Sequence, residues 1–330
     1  MRRSGTYIRL ICVLMVLSLL PLGLLGCASP ERESRLEILC TTFPLYDWTR
    51  TVVGEAEGVT VSLLVENGTD AHSYQPTPAD MAALKRCDVA VLIGGESDGW
   101  VREALSQNQR ADQSVIELMA LEGMILRPIS DESGHDHEHE HDHGHGDHEH
   151  GSAYDEHIWL SLRNAVTSVM GIADALSERD PAYASHYQGR AEAYAEKLLA
   201  LDGRYREMVQ ASRGAPLLFA DRYPFVYLME DYGLHAHAAF AGCSADVGAS
   251  FASVVELAEL VSDLNVTKIM ITESSDGALA RTVIGASGRE NCSVLVLDSL
   301  QSVTKADVLS EKTYLSVMES NLSVLEEALS

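Results

Sequence analysis

From Leu36 onward, short apolar runs alternate with segments whose apolar residues recur at helical spacing. "LEILC" is a five-residue apolar run, and residues 44–53 then put Leu45, Trp48 and Val52 on one helical face. "VTVSLLV" has strand character. Thr77-Pro78 has the form of an N-cap followed by proline at the first helical position, opening a helix through Cys87. "DVAVLIGG" is a continuous apolar strand. The rhythm returns late in the chain: "APLLFA", a helix from Pro224, "HAHAAF", a helix near 250–264, "VTKIMIT", a helix near 276–287, and "CSVLVLD". Strands alternating with helices predict parallel sheets covered on both faces. Between the two series, Tyr187, Ala191, Tyr194, Leu198, Leu201, Tyr205 and Met208 follow one another at spacings of three and four, a single stripe on one long helix. Such a helix reaches roughly 45 Å at 1.5 Å per residue. A coiled-coil dimer would show the same stripe. Gly189 and Gly203, however, each weaken a free-standing helix by about 1 kcal/mol, so the helix is expected to lie packed along the body of a monomer. The predicted fold is α/β. Its two lobes (27–180 and 213–330), each a mainly parallel sheet flanked by helices, are joined by one long rigid backbone helix at 181–212.

Charge narrows the partners. The 330 residues carry 49 acids against 24 bases, a formal net charge of −25, which excludes nucleic acid because nothing could neutralise a run of phosphates. The same sign suits cations. At the N-terminus, Arg2, Arg3 and Arg9 precede an apolar stretch from Ile11 to Leu25, too short and too interrupted by Pro21 to span a bilayer. Gly26-Cys27 after two leucines resembles the bacterial lipobox. Residues 1–26 are therefore expected to be a signal peptide and Cys27 the lipidated residue. The chain is expected to be exported and lipid-anchored on the outer side of the cytoplasmic membrane. Four cysteines follow, Cys40, Cys87, Cys243 and Cys292. An exported compartment permits a Cys243–Cys292 disulfide, and four buried thiols are the equal alternative.

Residues 135–150 read "HDHEHEHDHGHGDHEH" and spell H-E-x-x-H twice, at His137–His141 and His139–His143. That zinc-protease signature acts only on a rigid amphipathic helix. Nothing from Asp131 to Gly151 has an apolar face, and Gly144, Gly146 and Gly151 interrupt any helix. An alternation of His and Glu this dense generates the motif by chance. Its eight histidines suit borderline-soft divalent ions, and the tract at 131–152 is expected to be a flexible collector of metal.

Of the remaining histidines, His72 lies in "NGTDAHSYQPTPADM", after a strand and before the proline-capped helix, and His157 lies in "YDEHIWLSLRNA". Loops at the carboxyl ends of parallel strands are where α/β folds bind ligands. His235 and His237 would share one face of a strand and have no assigned role. The stretches "TTFPLYDW", "AHSYQPTP", "DEHIWL", "DYGL", "TESS" and "LDSL" occur in an order that resembles the zinc/manganese-binding lipoproteins of bacterial ABC importers, from about Leu36 to the C-terminus. The resemblance implies two lobes around one metal, with His72 and His157 as ligands from the first lobe and Asp298 as a carboxylate ligand from the second. Family members also often carry a His-rich loop before the second histidine.

Three positions depart from the family pattern. Ala71 and Glu156 stand where prolines usually precede the two histidines, and alignment on "YGL" puts Arg222 where the family has a third His or Glu ligand. Arginine has no lone pair to give. A shift of one residue makes Asp221 the ligand, with Arg222 holding a carboxylate. Glu273 in "ITESS" and Cys243, a potential thiolate, are further candidates.

What the resemblance implies is a solute-binding component of a metal importer, not an enzyme. It would take Zn2+ and pass it to the ABC importer permease. Mn2+ is the competing ion, favoured by oxygen ligands as two imidazoles favour zinc. A metal-dependent adhesin and a zinc hydrolase using Glu138 or Glu140 are the rivals from other classes.

Overall fold

The computed structural model describes residues 35–330 apart from 66–67, 130–153, 213, 241–249, 290 and 311. Cys27, Cys243 and the histidine tract lie outside the described residues. Leu36–Ser330 is one compact unit. In the first lobe, strands β1 (Leu36–Cys40), β2 (Val59–Leu63), β3 (Val89–Leu92) and β4 (Ser114–Glu117) alternate with helices α1 (Phe43–Val53), α2 (Pro78–Arg86) and α3 (Gly99–Asn108). All strand pairs are parallel and the order is β2-β1-β3-β4. Central β3 is buried at all four positions, as its uninterrupted apolar run requires. Thr77 caps α2 as the sequence predicts: its hydroxyl accepts from Asp80 N, and the Asp80 carboxylate accepts from Thr77 N, a reciprocal capping box with Pro78 behind it.

Helices α4 (Leu162–Arg179) and α5 (Ala184–Ala211) join the lobes. Every residue of the predicted stripe on α5 is buried. Its residues belong to one apolar core that continues through Trp48 and Trp159 of the first lobe into Phe219, Phe225 and Tyr314 of the second. Such continuity makes the two lobes a single packed body.

The second lobe repeats the first. Strands β5 (Leu217–Phe219), β6 (Ala236–Ala238), β7 (Lys268–Thr272) and β8 (Ser293–Leu297) are parallel in the order β6-β5-β7-β8. Helices α6 (Val226–Tyr232), α7 (Phe251–Asp263) and α8 (Ala278–Ser287) connect them, and α9 (Lys305–Leu309) and α10 (Tyr314–Ala328) close the chain. Helix α6 begins two residues after Pro224. Tyr223 and Phe225 instead pack their rings on Phe219, at 5.1 and 5.3 Å between centroids, which fixes the approach to the helix. Cys40, Cys87 and Cys292 are free thiols; Cys292 donates to Val266 O.

Candidate metal centre

Both predicted histidines are presented by the same local device. Asp70 Oδ1 accepts from His72 N at 3.0 Å, and Asp155 Oδ1 accepts from His157 N at 2.8 Å. Each is an Asp-x-His turn, in which a short carboxylate folds back on the backbone two residues on and fixes where the imidazole emerges. His72 follows β2 in a one-turn helix, Ala71–Ser73. His157 opens another, Ile158–Leu160, pinned by buried Trp159, whose indole donates to Ser299 O of the second lobe at 2.9 Å.

The two side chains, 85 residues apart in sequence, meet with Nε2 atoms 3.2 Å apart. The far nitrogen of each ring faces a carboxylate: His72 Nδ1 lies 3.0 Å from Glu156 Oε1, and His157 Nδ1 lies 2.8 Å from Asp155 Oδ1. A carboxylate only accepts, so the proton of each neutral ring sits on Nδ1 and both Nε2 lone pairs point into the same space. Burial alone would raise the Glu156 carboxyl. The hydrogen bond of His72, its positive charge once the ring is protonated at low pH, and two donors from Ser97 overcome this and lower it to about 2, so it remains an anion at any working pH. His157 is enclosed, its side chain 3% exposed, while that of His72 is 22% exposed, so the pair is reached from the His72 side.

Of the predicted ligands of the second lobe, Asp221, Glu273 and Asp298 follow strands, at the carboxyl edge of its sheet. In this structure each has another partner. Asp221 accepts from Arg222 N and, through Oδ2, from Thr272 N and Oγ1 at 2.9 and 2.8 Å. Asp298 pairs with Lys312 Nζ at 2.8 Å and accepts from Leu300 N. Glu273 is raised by burial and by the Asp298 charge, against the donors of Ser299, and it also accepts from Ser302 N. Arg222 crosses the seam between the lobes, its Nη1 2.6 Å from Asp70 Oδ2. It does hold a carboxylate, but in the opposite lobe. Gln301 of the second lobe does reach the histidines, with Nε2 2.8 Å from His157 Nε2. Among the described residues no group of three or more His, Cys, Asp and Glu is placed to hold one ion. His237 is exposed on edge strand β6, and His235, also exposed, stands immediately before the strand.

The family model described as "ZnuA: Zinc-uptake complex component A periplasmic" matches residues 38–328. The chain belongs to this family. Among its relatives, the zinc-binding lipoprotein AdcA of Streptococcus pneumoniae is 32% identical over 95% of the chain. The chain spans 60% of that relative's length. The high-affinity zinc uptake system protein ZnuA of Bacillus subtilis is 28% identical over 99% of the chain and 97% of its own length. The solved Zn(II)-bound ZnuA-like domain of Streptococcus pneumoniae AdcA superposes with a TM-score of 0.71 at 30% identity, covering 89% of this chain and 98% of that one. These relatives are named for binding and uptake of metal, not for a reaction.

Within this member of the zinc-uptake component family, four site residues escape a reading of the sequence: Asp70, Asp155, Glu156 and Gln301. Asp-x-His recurs at residues 70–72 and 155–157, and that repetition is the one local signal that could have marked both aspartates. Glu156 belongs to the site through its contact with His72. Gly95 makes room for it, since a Cβ there would collide with the Glu156 carboxylate.

Proposed function

We propose that the chain captures Zn(II) at the seam between its lobes, through His72 and His157, and delivers it to the permease of an ABC importer. The observation that carries this reading is the pair of Nε2 lone pairs converging at 3.2 Å with both Nδ1 atoms tied to carboxylates. Two imidazoles on one tetrahedral zinc, at Zn–N distances near 2.05 Å, stand about 3.3 Å apart. Carboxylates behind ligating imidazoles fix the tautomer and raise basicity. Zinc over manganese follows from the nitrogen donors, and membership of the zinc-uptake family supports it. Asp221 and Asp298 are the proposed carboxylate ligands, with Glu273 and Cys243 as further candidates. A carboxylate has about four lone-pair sites, so the present partners of Asp221 and Asp298 leave room for a metal.

The remaining parts of the reading are proposals of the same kind: a signal peptide at 1–26, a lipid anchor at Cys27, export to the cell surface or periplasm, a monomeric state, and the tract at 131–152 as collector. So are the boundaries of the lobes at 27–180 and 213–330 with the linker helix at 181–212. Pro128 and Tyr154 form a bridge, and Asp155 N donates to Arg127 O, so both ends of the segment carrying the tract emerge together three residues from His157. No helix among the described residues is long and apolar enough to cross a membrane.

Calorimetry on the chain from residue 28 onward, with and without residues 135–150, tests the reading. One tight equivalent should survive the deletion, while weaker equivalents disappear. Between pH 7.5 and 5, protons compete for both imidazoles, and affinity should fall roughly a hundredfold or more. Glu156 does not contribute to that fall. Its lowered pKa stabilises the fold above about 4.5, and this is lost only as pH drops from there toward 2. An affinity that stays flat across the range would refute coordination by these histidines.

Gly95→Ala probes the support of His72. The new methyl displaces Glu156, and loss of such a partner weakens metal binding by about tenfold or more. Unchanged zinc affinity in a folded Gly95→Ala protein would show that Glu156 does not matter to the site.

A further inference from the structure

Gln301 lies in the loop after β8 and reaches across the seam to His157, 144 residues away in sequence. Neutral His157 carries its proton on Nδ1, toward Asp155 at 2.8 Å, and so offers only a lone pair at Nε2. The group facing that nitrogen at 2.8 Å has to be a donor, which assigns the near atom of Gln301 as the amide nitrogen and leaves Oε1 3.2 Å from Ser299 Oγ. The amide N–H therefore points at the same lone pair that a metal ion would use. Coordination and this hydrogen bond exclude each other.

We propose that Gln301 is a built-in competitor for the metal: its side-chain amide closes the His157 nitrogen in the empty protein and swings aside when a divalent cation enters. Gln301 borders a small apolar pocket between the lobes, lined also by Thr42, Phe43, Val65, Ala71 and Trp159. The hydrogen bond stabilises the empty site, so it lowers affinity and favours release. It also gives a donor to an acceptor inside a side chain only 3% exposed. A glutamine suits this role because its amide is a donor of no net charge. A carboxylate at the same place would attract the cation and bind it.

The proposal rests on His72 and His157 being the ligand pair, and its test separates the two. Zinc affinity and association and dissociation rates would be measured by competition with a chromophoric chelator. The protein would be the chain from residue 28 onward, carrying Gln301→Ala, Gln301→Glu, or His72→Ala with His157→Ala. Gln301→Ala should bind zinc about two- to tenfold tighter, the size of one net hydrogen bond, with the gain in the association rate. The same variant without metal should melt slightly lower than wild type, so affinity and empty-state stability move in opposite directions. A residue of merely structural importance would lower both. Gln301→Glu should bind tighter still and release more slowly. Weaker binding with faster dissociation in Gln301→Ala would overturn the proposal and make the amide a ligand. An unchanged affinity would overturn it as well. Tight zinc retained by the double histidine variant would instead refute the ligand pair, whatever Gln301 does.

Discussion

Replacing His72 and His157 together by alanine should remove the tight zinc equivalent, with affinity falling at least about a thousandfold, or roughly 4 kcal/mol. The expectation follows from how little else is aimed at the site. The two Nε2 atoms are the only nitrogen lone pairs described as converging there, and the carboxylates of the second lobe are each engaged with another donor. Removing both imidazoles leaves only the proposed carboxylates Asp221 and Asp298, each already shared with other donors. The fold should survive, because His72 is partly exposed and the core is built around Trp48, Trp159 and the α5 stripe. His157→Ala alone should cost roughly 1–3 kcal/mol of stability by leaving Asp155 without its ring partner, a loss readable in urea. Calorimetry decides the main point. If the double variant keeps one tight equivalent and deletion of 135–150 removes it, the metal centre is the tract.

Metal binding should move the lobes little, because polar bonds tie them across the same seam. Tyr227 of α6 donates to Asp155 O at 2.6 Å and accepts from Arg127 N at 3.1 Å. Ser161 donates to Asp231 at 2.6 Å, and Tyr314 donates through its hydroxyl to Trp159 O at 2.6 Å. These bonds bracket the Asp155–His157 turn and tie it to the second lobe. Breaking them to open the lobes would strip several buried polar groups at once. Scattering profiles with and without zinc should therefore nearly coincide, and a large compaction on adding metal would contradict a body held this way.

The fold was legible wherever a pattern repeats along the chain. Parallel strands came from apolar runs, α2 from Thr77-Pro78, and α5 from a stripe in which every position proved buried. The two histidines were singled out by the resemblance to the importer lipoproteins, not by their loop positions alone. Their surroundings were not. His72 meets His157 across 85 residues, Gln301 meets His157 across 144, and Arg222 meets Asp70 across 152. Contacts of that kind follow from how two sheets face each other, and no local period encodes it. Arg222 is the instructive case. Its lack of a lone pair was correctly a reason to deny it a ligand's role, but the carboxylate it holds belongs to the loop that presents His72, not to its neighbour Asp221.

That contact leads to the second large effect. Arg222→Ala should destabilise the metal-free protein by roughly 2–4 kcal/mol, because it leaves the Asp70 carboxylate, 8% exposed, without its cation. The exposure of Arg222 itself, 23%, keeps the figure below that of a fully enclosed pair. Asp70 also holds the His72 backbone through its other oxygen, so a loosened Asp70 loosens the ligand, and zinc affinity should fall about tenfold alongside stability. Lysine at 222 keeps the charge but loses the fork that also reaches Ser274 at 3.4 Å, and should recover only part of both losses. Asp70→Asn removes the stranded charge. The pair Arg222→Ala with Asp70→Asn should accordingly be more stable than the sum of the single effects predicts, by about 1 kcal/mol or more. Urea unfolding of the four proteins measures that coupling directly. Strictly additive losses would mean that the guanidinium and the carboxylate are neighbours without being partners.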